Sequence, residues 1–181
     1  FRRDRDYWKE LLAGLPEAVT LSRRQHRPGL ADRLCRSTAY LSAETSRRLG
    51  ELGKATGASL PQVLIGLVAA YYHRVTGADD LVIGMPVTAR LNADARQMPG
   101  IFVNVVPIRL RFAADLTPGE LFEQVARAVR QTLRHQQYRY EDMRRDLGLV
   151  GQGRSLAWLG VNIEPFDYQL GFATTAELPS Y

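Results

Sequence analysis

Cysteine occurs once, as Cys35, so these 181 residues can form no intrachain disulfide and suit a reducing compartment. Histidine is nearly as scarce. His26, His73 and His135 each lack a second His, Cys or carboxylate at metal-ligand spacing, so no metal site is expected. No uninterrupted apolar run approaches the ~18 residues of a membrane helix. The charged start Phe1-Arg2-Arg3-Asp4-Arg5-Asp6 has no apolar stretch of a secretory leader. A cytoplasmic chain with no membrane partner is expected. A Gly-x-Ser-x-Gly elbow, a phosphate-binding loop and a dinucleotide glycine pattern are all absent, which argues against a self-contained catalytic site.

What is present is the composition of a folded domain, 45% hydrophobic and 24% charged, which excludes a disordered or collagen-like chain. The length fits one globular domain or two small lobes. Lys9 and Lys54 are the only lysines, so the net charge of +5 rests on arginine. The pairs Arg23-Arg24, Arg47-Arg48 and Arg144-Arg145 lie far apart with acids near most of them. No stripe tracks a phosphate backbone, and no nucleic-acid partner is expected.

Asp4–Ala13 reads as a short helix with Tyr7, Trp8, Leu11 and Leu12 along one side. Gly14–Asp32, rich in Pro, Gly, Arg and Ser, reads as a linker in which His26 is solvated. A strand is expected at Arg36–Leu41. Ser42 then caps a helix with Thr45, Leu49 and Leu52 on one face, ended by Gly57. Ser59 and Gln62 form a capping box before Leu60–Tyr72, a stretch so free of charge that deep burial is expected. His73, just after it, reads as a packing residue.

Strands are expected at Leu81–Val87 and Ile101–Phe112, separated by a polar loop with Arg90, Asn92 and Asp94. Thr117-Pro118-Gly119-Glu120 opens a second long helix with Leu121, Phe122, Val125, Val129 and Leu133 inward. A shorter helix over Tyr140–Leu147 and a strand over Leu156–Ile163 complete an α/β lobe. Asn104 breaks a local rule: it sits on the otherwise apolar strand face of Phe102, Val106 and Ile108. A buried amide is costly unless its hydrogen bonds are met. It is either a structural amide tying a neighbouring segment or an amide lining a channel.

Several stretches, in order, resemble the condensation domains of nonribosomal peptide synthetases. Asp6-Tyr7-Trp8-Lys9-Glu10-Leu11-Leu12-Ala13-Gly14-Leu15-Pro16 resembles the segment bridging the two halves of such a domain. Ala69–Arg90, with Asp79-Asp80-Leu81-Val82-Ile83-Gly84 and Pro86-Val87-Thr88-Ala89-Arg90, is similar to the family's next stretch. Gly100-Ile101-Phe102-Val103-Asn104 resembles its G-x-F-V-N motif, and His135-Gln136-Gln137-Tyr138-Arg139-Tyr140-Glu141 its H-Q-x-Y-x-x-E motif. Val161–Leu170 looks closest to enterobactin-synthase-type members. Val105 replaces the usual Thr, and Arg139-Tyr140 the usual Pro-Phe; the Arg-containing motif that normally follows is reduced to Arg154-Ser155.

The resemblance implies one lobe of a chloramphenicol-acetyltransferase-like fold, a mixed sheet flanked by helices. Residues 1–34 would be an inter-lobe helix and linker, and 35–181 the C-terminal subdomain, incomplete at its C-terminus. The implied function is that of a larger acyltransferase, forming an amide between carrier-bound acyl and aminoacyl thioesters. Its H-H-x-x-x-D-G motif is absent from these residues and would lie in an N-terminal subdomain preceding Phe1, so the chain alone is expected to be inactive. No cofactor would bind directly; phosphopantetheine arms would be brought by donor and acceptor carrier proteins. Further implied partners are that N-terminal subdomain and an adjacent adenylation domain. By the same resemblance Asn104 lines the substrate channel and Arg90 pairs with the motif Asp of the other lobe. His135, Tyr138 and Glu141 support their motif. Two alternatives stay open: an epimerisation or other carrier-dependent acyltransferase domain, and a non-catalytic domain that docks carriers.

Overall fold

In a computed structural model, residues 2–17, 20–21, 35–88, 90, 93–100, 102–157 and 159–164 are described. The first helix, α1 (Arg2–Leu11), turns Trp8 inward. Helix α2 (Ala43–Thr56) starts at Ser42, whose Oγ accepts from the Thr45 amide at 3.1 Å, meeting a donor the helix itself cannot satisfy. It stops at Gly57, whose φ of 64° lies in the left-handed region that only glycine enters at little cost. Helix α3 (Leu60–Thr76) follows directly, with Gln62 Oε1 accepting from the Ser59 amide at 2.8 Å.

Strand β1 (Asp80–Thr88) leads through a short helix α4 (Ala93–Gln97) to strand β2 (Val103–Arg111). The two pair antiparallel, with Ile83 opposite Ile108 and Met85 opposite Val106. Helix α5 (Pro118–Arg134) opens with the capping box of Thr117 and Glu120. Helix α6 (Tyr140–Asp146) follows, and a two-residue strand β3 (Leu159–Gly160) joins β1 in parallel, giving the order β2-β1-β3. The sheet is therefore mixed and flanked by helices.

One core gathers Ile65 and Ala69 of α3, Ile83, Ile108 and Leu110 of the sheet, and Leu121, Val125 and Val129 of α5. Burying each large aliphatic side chain contributes ~1.5–3 kcal/mol. The helices approach so closely here that a Cβ on Gly66 would lie 2.8 Å from the Phe122 ring. A second core holds Trp8 and Leu12 at the start of the chain against Val106, Tyr138, Met143, Leu149 and Leu156. Among the described residues, no single helix is long and apolar enough to cross a membrane.

Four expectations need correction. Residues 36–41 form no strand and stand exposed, Tyr40 at 93%, because no neighbouring strand among the described residues pairs with them. Helix α3 is not buried all round: Val63, Ile65, Gly66 and Ala69 are inside, whereas Leu60, Leu67, Tyr71 and Val75 face outward. A helix buries only the sides that other elements cover, and α2, α5 and β1 cover one. In α5 the inward place expected of Leu133 belongs to Thr132, whose Oγ1 donates to the Pro107 carbonyl. The strand expected over 156–163 shrinks to β3, with Leu156 spent on the second core instead. Most of the linker over 14–32, with His26, and the second half of the 161–170 stretch lie outside the described residues, as do Asn92 and Ile101.

Candidate functional site

Two of the residues singled out by their motifs, His135 and Tyr138, meet at α1. His135 ends α5 and is only 7% exposed. Its Nδ1 lies 2.7 Å from Asp4 Oδ1, its ring stacks on Tyr7 at 3.9 Å, and its carbonyl accepts from Trp8 Nε1 at 3.0 Å. Three residues on, buried Tyr138 donates its hydroxyl to Asp146 Oδ2 at 2.6 Å, and Arg5 Nε donates to the same oxygen at 2.8 Å. Burial, and then the Asp146 hydrogen bond and charge, push the Tyr138 phenol up to about 12. Donation from Tyr138, helped by Arg5, holds the Asp146 carboxyl below the usual carboxylate range.

Asn104 holds the segment between these two residues and α6. Its Nδ2 donates to the carbonyls of Gln136 at 2.8 Å and Tyr138 at 2.9 Å. Its Oδ1 accepts from the amides of Val105 at 3.0 Å and Tyr140 at 3.1 Å. An amide has two donor hydrogens and two acceptor lone pairs, and main chain of this same lobe takes all of them. The channel expectation placed this amide open toward a cleft; the geometry is that of the structural tie. The reason is main-chain bookkeeping: 136–139 lie outside helix and sheet, and their polar groups need partners once buried.

Glu141 does not join this cluster. It is exposed in the first turn of α6, 4.0 Å from the Arg139 guanidinium. Arg90 stands apart as well. It donates to the Met98 carbonyl at 2.6 Å and the Gly100 carbonyl at 2.7 Å, with its guanidinium 4.6 Å over the Phe102 ring. It thereby closes the loop that carries α4 back to β2. His73 packs flat on Phe112 with its Nδ1 at the Ala78 carbonyl, the packing role expected of it.

The pair that sequence reasoning did not single out is Arg109 and Asp80. The Arg109 side chain is 5% exposed. Its Nε and Nη2 grip the Asp80 carboxylate at 2.9 and 2.7 Å. Its remaining donors reach the carbonyls of Leu11 at 2.8 Å, Ala13 at 2.7 Å and Gly14 at 2.8 Å. Partial burial pushes the Asp80 carboxyl up, but the hydrogen bonds and charge of Arg109, with Arg111 beside it, outweigh this and hold it below the usual range. The available signal was an arginine alternation on β2 facing an acidic pair at the start of β1, where Asp80 stands opposite Arg111.

Chemically, this cluster fixes positions. Among the described residues no group of three or more His, Cys, Asp or Glu could hold a metal ion. A cleft of about 450 Å³ opens beside it, lined among others by Leu15, Tyr72, Asp80, Arg154 and Ser155.

The family model of the condensation domain matches residues 1–180. The chain is 35% identical over 173 residues to the dimodular nonribosomal peptide synthase of Bacillus subtilis, covering 96% of this chain and 7% of that protein. It is 37% identical over 173 residues to the isonitrile lipopeptide synthase of Streptomyces coeruleorubidus, covering 96% of this chain and 12% of that one. Its fold superposes on the first condensation domain of the CDA synthetase with a TM-score of 0.75 and 36% identity, over 92% of this chain and 35% of that structure. The chain thus spans a small part of these synthetases and about a third of a solved domain. The mixed sheet and its helices are accordingly of the chloramphenicol-acetyltransferase-like kind. A match that runs through nearly every residue and is shared by sequence and fold puts this chain in the condensation-domain family of nonribosomal peptide synthetases.

Proposed function

We propose that this chain is the C-terminal lobe of a condensation domain that joins a carrier-bound acyl thioester to a carrier-bound aminoacyl thioester. The observation that carries the reading is the family match over residues 1–180, together with two residues of the family's H-Q-x-Y-x-x-E motif, His135 and Tyr138, being held against α1. In this reaction the acceptor's amino nitrogen attacks the donor carbonyl, the C–N bond forms, the C–S bond breaks and the donor thiol leaves. Such a step depends on orienting two large substrates and stabilising a transient oxyanion. The catalytic His motif belongs to an N-terminal subdomain of the same synthetase, and phosphopantetheine arms on donor and acceptor carrier proteins deliver the substrates. An adenylation domain adjoins, and the assembly works in the cytoplasm.

In this scheme Arg90 pairs with the motif Asp of the N-terminal subdomain, its fork pre-aligned by the Met98 and Gly100 carbonyls. His135 and Tyr138 act as supports of α1, and Asn104 as the tie of the segment between them and α6. The test is to mix the two-lobed domain with donor and acceptor carriers loaded as thioesters and to assay released products by mass spectrometry. Amide product is expected from the two-lobed domain and none above background from the 181-residue chain alone. Product from the lone chain, or none from the two-lobed domain, overturns the reading.

A further inference from the structure

Helix α1 is fastened at both of its ends as well as along its middle. Near the N-terminal end Asp4 meets His135 and Arg5 meets Asp146, which Tyr138 also grips. At the other end Arg109 takes the carbonyls of Leu11, Ala13 and Gly14 while holding Asp80 on β1. Between them Trp8 sits in the second core, joined there by Leu12 just past the helix end. A helix of 10 residues is about 15 Å long. Apolar contacts from Tyr7 to Leu15 hold one side of this segment but set no angle by themselves, whereas the hydrogen bonds at its two ends are directional.

We propose that Arg109, with Asp80, is a positioning residue that sets the direction in which the chain enters this lobe through α1, and so the separation of the two lobes across which the condensing groups meet. The proposal rests on the two-lobed reading above. A buried ion pair is a poor device for stability alone, because well-packed apolar residues of similar volume often do as well. What the guanidinium adds is direction. Its planar fork spans a carboxylate on β1 and carbonyls at and just past the end of α1. A lysine, with one compact ammonium, can keep the charge beside Asp80 but not span that whole set.

The experiment uses the two-lobed domain with one spin label in each lobe and measures inter-lobe distances by pulsed electron resonance, alongside condensation kinetics. Arg109→Met should broaden the distance distribution and lower kcat roughly 10- to 100-fold, the scale of small misplacements of reacting groups. KM for the loaded carriers should stay within about twofold, since carrier docking is untouched. Arg109→Lys should fall between Met and wild type in both measurements. Should the Met variant not fold, the Lys variant carries the comparison. A wild-type distance distribution in a folded variant overturns the proposal whatever the activity, as does a broadened distribution with unchanged kcat. Wild-type protein that forms no amide would instead sink the two-lobed enzyme reading, while the distance measurement still judges the fastening of α1.

Discussion

His135 and Asp4 stand 131 positions apart in sequence and 2.7 Å apart in space, joining the end of α5 to the start of α1. Removing the imidazole by His135→Ala leaves a half-buried carboxylate without this partner and empties the face on which Tyr7 stacks. The expected cost is ~1–3 kcal/mol, read from urea unfolding midpoints. Asp4→Ala in the His135→Ala background should cost much less than it does alone, since the two changes remove one interaction. Additive effects would show that the pair is not coupled.

Asn104→Ala should destabilise the domain by ~1–3 kcal/mol, because it strands the carbonyls of Gln136 and Tyr138 and the amide of Tyr140. Asn104→Asp should be at least as damaging despite its shape, since it turns an acceptor oxygen toward two carbonyl oxygens. Equilibrium unfolding of both variants is the check. Wild-type stability with slowed condensation in Asn104→Ala would restore the channel role.

The acidic and alkaline limits of stability have assigned groups. Asp80 and Asp146 are held below the ordinary carboxylate range in the folded state. Their contribution is thus present above about pH 4, the unfolded value, and drains away as pH falls through their folded pKa values. Tyr138 behaves oppositely, with its phenol raised to about 12. Its contribution is complete below about pH 10 and is lost as pH rises from there toward 12. Unfolding midpoints across pH should show Asp80→Asn and Asp146→Asn flattening the acid limb and Tyr138→Phe flattening the alkaline one. Unaltered limbs would reject the assignment.

Gly66→Ala should be net destabilising by about 1–2 kcal/mol, although alanine is the better helix former by ~1 kcal/mol. The new methyl would lie 2.8 Å from Cε1 and 2.9 Å from Cδ1 of a Phe122 ring that is itself buried against Ala58 and Val63. Phe122→Leu in the same chain should recover part of the loss. Greater stability in Gly66→Ala alone would show that α3 and α5 can separate at little cost.

The elements written in local chemistry were readable from the chain as a string. Ser42, Ser59 with Gln62, and Thr117 with Glu120 act on groups within three positions of themselves, so their helices start where the side chains say. β1 follows from a continuous apolar run and β2 from an alternating face that only Asn104 interrupts, and the family follows from motifs in a fixed order. Asn104 was visible as an exception but not as a tie, because the carbonyls it serves lie more than 30 positions away.

Position along the chain alone thus determined the starts of α2, α3 and α5, the two long strands and the family. Which face of α3 is covered, whether 36–41 finds a strand to pair with, how long β3 runs, and whether Leu133 or Thr132 turns inward were settled only by packing. Each depends on what another element leaves room for. The same holds most strongly for Arg109 with Asp80 and His135 with Asp4. Two arginines on a strand read alike whether they face water or a helix end. The distinction arises only when folding brings the Leu11, Ala13 and Gly14 carbonyls, some 95 to 98 positions away in the chain, within 2.8 Å of one guanidinium.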